Sequence, residues 1–517
     1  MNYKLINLLF LFSLISCQEA IKPKSLPNVI LILVDDMGFS DLGAYGSEIE
    51  TPNIDRLAFE GIRFRNAYNT SKCFPSRASL ITGLYSQQTG YNKSFHQPMS
   101  NAITLGELFK LKEYTTLWSG KHHSRENPVD RGFDHYSGLL DGAANHFNPG
   151  LQREGEEQPA QKGLRNTPPT YRNWVIEGMV FNPYTPKNKD FYSTDVFTNY
   201  ALDWMEQIQT EKPFFLFLSY TAPHDPLMAW EEDIEKYKDR YRDGYEAIRK
   251  QRFEKQKDLG VLPKKTILSK AAHVDWDLLT EEEKKSESRT MAVYAAMIDR
   301  LDQNIGRLLN KLEKQGKLNN TLILFTSDNG GSAEVVNIRG GTGAIGALSN
   351  WKSLGKNWAN VSNTPYREYK NWSHEGGIKT PLIAYWPNKI KNTGEVVHKP
   401  VHFIDFLPTL KEIIGAEYPA KYNGDNIIPS PGQSFLPEIL GKGRQEREGA
   451  LFWEWRQGKA IRKGNWKMVA HKQVWELYNL KKDPVEENNL IDQETEKANA
   501  LKKEYLEWEY QFNINEQ

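Results

Sequence analysis

Asn28-Val29-Ile30-Leu31-Ile32-Leu33-Val34, followed at once by Asp35-Asp36-Met37-Gly38, decides how this chain of 517 residues is read. Six consecutive aliphatic residues fit a strand buried on both faces, as in a parallel sheet, because a strand with one wet face alternates. The run stops at two carboxylates. Three further runs behave in the same way: residues 114–120 lead into Lys121-His122-His123, residues 214–220 lead through Thr221-Ala222-Pro223 into His224, and residues 321–327 lead into Asp328-Asn329-Gly330-Gly331. In open α/β sheets ligands bind beyond the carboxyl ends of the strands. One such strand end means little; four point to a single assembled site.

Between these runs, residues 54–60, 104–111, 194–208 and 288–314 carry apolar side chains at helical spacing, the last through Val293, Met297, Leu301, Ile305 and Leu308. Helices alternating with buried strands predict an α/β fold, a large mixed and mostly parallel sheet sandwiched by helices. From residue 451 the texture changes to four short strands and an amphipathic helix over 494–510, which predicts a small C-terminal antiparallel sheet with a packed helix. The expected division is a leader (1–17), a tether (18–26), a main domain (27–440) and a C-terminal subdomain (441–517). The densely charged interval 230–260 reads as a solvated helix held by side-chain pairs. Residues 330–366, rich in Gly, Ser and Asn and carrying Trp351 and Trp358, read as a long loop lining a cleft.

Lys+Arg and Asp+Glu each number 66, so no overall field attracts nucleic acid or an anionic membrane, and anion specificity must be local. Lys4, the apolar stretch 5–15 and then Leu14-Ile15-Ser16-Cys17 resemble a lipoprotein leader and its lipobox. Export to the periplasm or cell surface is expected, with membrane attachment only through a lipid on Cys17; an ordinary secretory leader is the alternative. The chain has two cysteines, so Cys73 is left without a disulfide partner once Cys17 is set aside.

Pro75 suits the first turn of a helix, and Leu80, Ile81 and Leu84 follow at helical spacing. Cys73 therefore belongs at a helix N-terminus, where free N–H groups and the dipole favour an anion. Asp35, Asp36, Asp328 and Asn329 offer hard oxygen donors suited to Ca²⁺ or Mg²⁺ rather than zinc. Arg77, Lys121, His123 and Lys370 add positive charge, and His224 can exchange a proton near neutral pH. Taken singly, an Asp-Asp pair is a cap, Asp-Asn-Gly-Gly a turn and a lone cysteine an inert core residue. Together they suit a multiply oxygenated anion.

Cys73-Phe74-Pro75-Ser76-Arg77 resembles the Cys-x-Pro-Ser-Arg signature of the type I sulfatases, bacterial arylsulfatase-like members of the alkaline phosphatase superfamily. Asp35-Asp36, Gly120-Lys121-His122-His123, Ala222-Pro223-His224, Ser327-Asp328-Asn329-Gly330 and Lys370 before Glu375-Gly376-Gly377 resemble the other motifs of that family. His122 stands where the family more often has Trp, and the loop from Asp328 to Lys370 is longer than in many members. The resemblance implies an alkaline phosphatase-like fold and hydrolysis of sulfate esters, with sulfated polysaccharides or their oligosaccharides as the expected substrates. It implies conversion of Cys73 to formylglycine (3-oxoalanine) by a maturation enzyme, and one cation, Ca²⁺ before Mg²⁺, held by Asp35, Asp36, residue 73, Asp328 and Asn329. Catalytic roles would fall to Cys73, Arg77, Lys121, His123, His224 and Asp328, and sulfate binding to Lys121, His224 and Lys370. The competing readings are a phosphodiesterase or phosphonate monoester hydrolase of the same superfamily, a non-catalytic glycan-binding lipoprotein, and a cysteine-thiolate hydrolase.

Overall fold

A computed structural model describes residues 26–162, 166–208, 212–336, 343–443 and 446–513. The leader, Cys17 and nearly all of the tether lie outside the described residues. The main sheet is built from β1 (Asn28–Val34), β2 (Ile62–Tyr68), β3 (Thr115–Gly120), β4 (His135–Leu139), β5 (Trp174–Ile176), β6 (Met179–Phe181), β7 (Phe214–Ser219), β8 (Thr321–Ser327) and β9 (Lys379–Tyr385). Short β10 (Val396–Val397) and β11 (Val401–His402) complete it at one edge. The strand order is β10-β2-β9-β8-β1-β7-β3-β4-β5-β6, with β11 also paired to β2. Strands β8, β1, β7, β3 and β4 run parallel, whereas β9 is antiparallel to both β2 and β8.

The register brings the expected strand ends level. Val34 sits opposite Ser327, Leu33 opposite Ser219, and Ser219 opposite Gly120. The chain therefore leaves the sheet at Asp35, Asp328, Tyr220 and Lys121 side by side. β1 buries both faces, which is why its sequence does not alternate: Ile30, Ile32 and Val34 join one apolar layer, and Val29, Leu31 and Leu33 the other. Burying each such side chain contributes roughly 1.5–3 kcal/mol. The first layer is closed by the helices Ser193–Gln207 and Glu281–Lys314, the second by Cys73–Thr82 and Phe406–Ile414. A capping box of Thr280 and Glu283 starts the long helix, whose buried stretch begins at Ser288, two turns further on.

Past the main sheet, β12 (Lys421–Tyr422) and β13 (Asp425–Asn426) form a small ribbon. Next, β14 (Leu451–Trp455), β15 (Gly458–Lys463), β16 (Trp466–His471) and β17 (Val474–Asn479) make an antiparallel sheet. Ala498, Leu501, Tyr505 and Trp508 of the helix Thr495–Asn513 pack on it, as the sequence predicts. Among the described residues no helix is long and apolar enough to cross a membrane.

Two expectations need correction. The interval 230–260 is not simply a solvated helix: Gly244–Asp258 turns Arg249, Arg252 and Gln256 into the interior. Trp358 does not line a cleft either. It lies in a helix, Gly355–Ser362, fully buried against Tyr241, Tyr245 and Trp276, with its indole N–H donated to the Glu287 carbonyl at 2.9 Å.

Candidate active site

Cys73 opens the helix Cys73–Thr82, whose preceding residue, Lys72, is extended and supplies no side-chain cap. The side chain thus lies at free helix N–H groups. Arg77 follows one turn later on the same helix face. Its Nε donates to Asp328 Oδ2 at 2.8 Å and its Nη1 to the Lys121 carbonyl at 3.0 Å, tying the helix to the ends of β8 and β3. Lys121 is buried and pairs with Asp35. Lys370 is buried too, 2.7 Å from Asp36, although it comes from the loop before β9. β9 starts at the edge where its neighbours end, which places Lys370 there.

Local backbone geometry serves the same edge. Asp36 and His123 both have positive φ, 63° and 65°, a strained region for residues other than glycine that clusters at functional sites. Gly120 has φ of 110°, and a Cβ there would stand 1.9 Å from the Ser219 carbonyl oxygen, so only glycine lets the chain turn into Lys121. A Cβ on Gly330 would meet the Gly376 carbonyl oxygen at 1.9 Å, which fixes the exit after Asn329.

Four oxygen-bearing residues form the floor. Asn329 donates its amide to Asp36 Oδ1 at 2.6 Å, and the Asp36 N–H points to Asp328 Oδ1 at 3.4 Å. Asp35 Oδ1 and Asn329 Oδ1 are buried with no hydrogen-bond partner. Orphaned buried oxygens beside three carboxylates are what a hard cation would satisfy, so the donor set fits Mg²⁺ or Ca²⁺. Asp35, Asp36 and His224 also bring one donor atom each within 4.8 Å of one another. Burial and the neighbouring Asp35 push the Asp328 carboxyl up to about 7. Burial acts the same way on Asp35, but Lys121, His224 and Arg77 outweigh it and hold that carboxyl well below the usual range.

The two histidines diverge. Burial, reinforced by Lys121 and Arg77, holds His123 well below its ordinary value and keeps it neutral. Burial would lower His224 as well, but the Asp36 and Asp35 carboxylates win and raise it. Asp225 sits 2.8 Å from His224 Nδ1, leaving Nε2 facing Asp36 at 3.5 Å. An acid and a base whose environments separate them is the arrangement a two-step proton transfer needs. Burial also pushes the Cys73 thiol up, despite Lys121 and Lys370. An unmodified thiol there stays protonated at neutral pH.

All ten sequence-predicted site residues meet at this one edge. His122 does not face the group; it packs against Trp118 with its ring centroid at 4.4 Å. Sequence reasoning missed Lys72, Asp225, Glu334 and Asn371. Glu334 accepts from Lys72 at 3.0 Å and Asn371 at 3.1 Å and lies 3.2 Å from Lys370, closing one side of the mouth. Lys72 and Asp225 adjoin motif residues and were findable by position, but nothing in the sequence of the 330–366 segment marks Glu334. The C-terminal sheet also reaches the site, where Trp455 packs on Phe74 (centroids 5.2 Å apart) and donates to Asn371 Oδ1 at 2.9 Å.

Comparison with known proteins adds an independent line. The family described as Sulfatase matches residues 27–416, and the C-terminal N-sulphoglucosamine sulphohydrolase family matches residues 367–511. An uncharacterised sulfatase of Schizosaccharomyces pombe is 34% identical, with 94% of each chain covered. The arylsulfatase of Klebsiella aerogenes is 32% identical over 81% of this chain and 94% of its own. Among solved structures, that of Ps i-CgsB in complex with k-i-k-neocarrahexaose superposes with a TM-score of 0.67 at 25% identity, covering 94% of this chain and 93% of that one.

Proposed function

The chain belongs to the sulfatase family, a family of sulfuric ester hydrolases, and from that premise we propose that it removes sulfate from glycans through a formylglycine formed at Cys73. The observation that carries the proposal is the set of buried cations around Cys73. Arg77, Lys121 and Lys370, each almost wholly buried, gather at Cys73 and pair with Asp328, Asp35 and Asp36; with a divalent cation on those carboxylates, the three basic groups would be left to balance an oxyanion.

A hydrated aldehyde at position 73 supplies a hydroxyl nucleophile together with a second hydroxyl for release, and a divalent cation on Asp35, Asp36, Asp328 and Asn329 supplies charge stabilisation at the sulfate oxygens. Residue 73 would complete that ligand set. The remaining work falls to the chain's own side chains. Arg77 holds Asp328 and the Lys121 carbonyl in place, so helix and strand ends move as one unit. Lys121 and Lys370 grip the sulfate oxygens. Asp328 takes the proton from the attacking hydroxyl. His224, kept protonated by its carboxylate neighbours and oriented by Asp225, gives a proton to the departing sugar oxygen from Nε2. Neutral His123 accepts the proton whose loss frees the sulfate.

A glycan substrate is supported by the hexaose bound to the Ps i-CgsB structure. Ca²⁺ rather than Mg²⁺, a maturation enzyme acting on Cys73, and a lipid anchor at Cys17 complete the proposal. The test compares sulfate, phosphate and phosphonate esters of one chromophore, with Cys73→Ala as the blank. Preference for the sulfate ester, lost in the variant, supports the proposal. Preference for phosphate or phosphonate esters would move the protein to the phosphoryl-transferring members of the superfamily.

A further inference from the structure

A cavity of about 750 Å³ lies away from Cys73, in a cleft between the main sheet and the C-terminal subdomain. None of Cys73, Arg77, Lys121, His123, His224 or Lys370 lines it. Its walls are formed by β2, the segment after the helix Gly244–Asp258, β15 and the turn after β17. Eight Lys and Arg side chains line it against one carboxylate, Glu446, in a chain whose 66 basic and 66 acidic residues otherwise balance.

Half of these cations are not spent on the fold. The side chains of Arg65, Lys265, Lys481 and Lys482 have neither a hydrogen-bond nor an ion-pair partner among the described residues. Arg447 is bound to Asp405 through Nη2, yet its buried Nε has no partner. Lys379, almost fully buried, is matched by Glu375 at 2.5 Å, and Arg462 by the Tyr68 hydroxyl. That second layer also separates the cavity from the catalytic edge, because Glu375 further accepts from Tyr68 and Lys467 at 2.8 Å each. Arg65 is half-buried and Lys265, Lys481 and Lys482 are exposed, and like charges gathered around one cleft repel one another. A volume within the usual 300–1,000 Å³ range of small-molecule sites holds a ligand of sugar size rather than a bare ion.

We infer that this cavity is a second anion site, which takes a sugar-sized ligand carrying several oxyanion groups, sulfate or phosphate. A sulfated saccharide and a phosphate-bearing metabolite present the same chemistry to it, and the test separates the two.

The Cys73→Ala chain, which binds without turnover, is titrated calorimetrically with a sulfated hexasaccharide and separately with tripolyphosphate. Saturating 4-nitrophenyl sulfate occupies the catalytic edge. Saturable binding is expected, weakened at least about tenfold by Lys265→Ala, Lys481→Ala and Lys482→Ala together, because three cations of modest individual effect are removed. Glu446→Gln, at an exposed position, strengthens it by about twofold. In the chain with Cys73 intact, the triple substitution leaves 4-nitrophenyl sulfate turnover within about twofold of the parent, since none of the three lysines lines the catalytic edge. Tighter binding of the hexasaccharide assigns the site to sulfated saccharides, and tighter binding of tripolyphosphate to phosphate-bearing ligands. Absence of binding, or binding indifferent to both the lysines and Glu446, overturns the inference. If the parent fails to hydrolyse aryl sulfate while anion binding still follows the lysines, the hydrolytic reading fails and the second site stands.

Discussion

Two buried charge clusters draw on the segment just after β1, and they differ in what they leave unsatisfied. Around Arg252, every charged oxygen has a partner within the protein: Asp41 accepts from Arg252 at 2.6 Å, Tyr294 at 2.7 Å and the Gly38 N–H at 2.8 Å. Glu48 accepts from Arg252 at 2.7 and 2.8 Å and from Tyr241 at 2.9 Å. Around Asp35 and Asp328, by contrast, Asp35 Oδ1 and Asn329 Oδ1 have no partner, and lysines from two separate loops lean in. Burial and charge are common to both clusters. What distinguishes a site from a brace is the missing partner, because a buried polar atom left unpaired costs about 1–3 kcal/mol unless something else satisfies it.

The comparison can be broken at several points, from the largest expected effect downward. Cys73→Ala removes the reacting residue but no structural contact of the brace, so aryl sulfate turnover falls by about 10⁴-fold or more with the melting temperature nearly unchanged. A large loss of stability would mean that the catalytic edge is itself a brace. Stripping divalent cations with a chelator lowers turnover by about 10²–10³-fold and lowers the melting temperature, and restoring Ca²⁺ or Mg²⁺ reverses both. A melting curve indifferent to chelation would remove the cation from the orphaned oxygens.

Arg252→Leu leaves Asp41 and Glu48 buried without their cation and costs about 3–5 kcal/mol in denaturant unfolding, while the turnover of the folded fraction stays near that of the parent. If turnover collapsed in the folded fraction instead, the two clusters would be one functional unit. His224→Ala discriminates by leaving group: hydrolysis of an alkyl or sugar sulfate falls by about 10²-fold, and that of 4-nitrophenyl sulfate by much less, since its phenolate leaves without a proton. Equal losses on both substrates would make His224 a binding residue only.

The smallest effect concerns the second cavity. Burial outweighs Glu375 and brings Lys379 down to about 8, with Arg462 and Arg65 acting in the same direction. The rings of Tyr68 and Tyr366 also face it, at 5.5 and 4.2 Å. The protonated form binds anions, so calorimetric affinity for the sulfated hexasaccharide falls a few-fold as pH rises through that value. An affinity that stays flat to pH 9.5 would take Lys379 out of the site.

Much of this was legible in the sequence, for identifiable reasons. Parallel strands buried on both faces read as unbroken apolar runs, so β1, β3, β7 and β8 and the residues beyond them could be placed. β2, Ile62–Tyr68, was not legible because Arg63 and Arg65 interrupt its run. Arg63 is nonetheless buried, its guanidinium donating to the Ala44 carbonyl at 3.1 Å. The helix Gly244–Asp258 misled for the converse reason. Its charges fall at the three- and four-residue spacings of a solvated face, and nothing in that pattern reveals that Arg252 points at Asp41 and Glu48 from far along the chain. Trp358 and Glu334 share the 330–366 segment, yet one is core and the other borders the mouth. Composition alone does not separate them, since only the helix Gly355–Ser362 turns Trp358 inward.

The most direct test of the central claim is the mass of the peptide containing Cys73, from protein produced together with a formylglycine-generating enzyme. An aldehyde or its hydrate in place of the thiol is the predicted result. An intact thiol in protein that still hydrolyses sulfate esters would contradict it, and the reaction would then have to be rebuilt on another nucleophile.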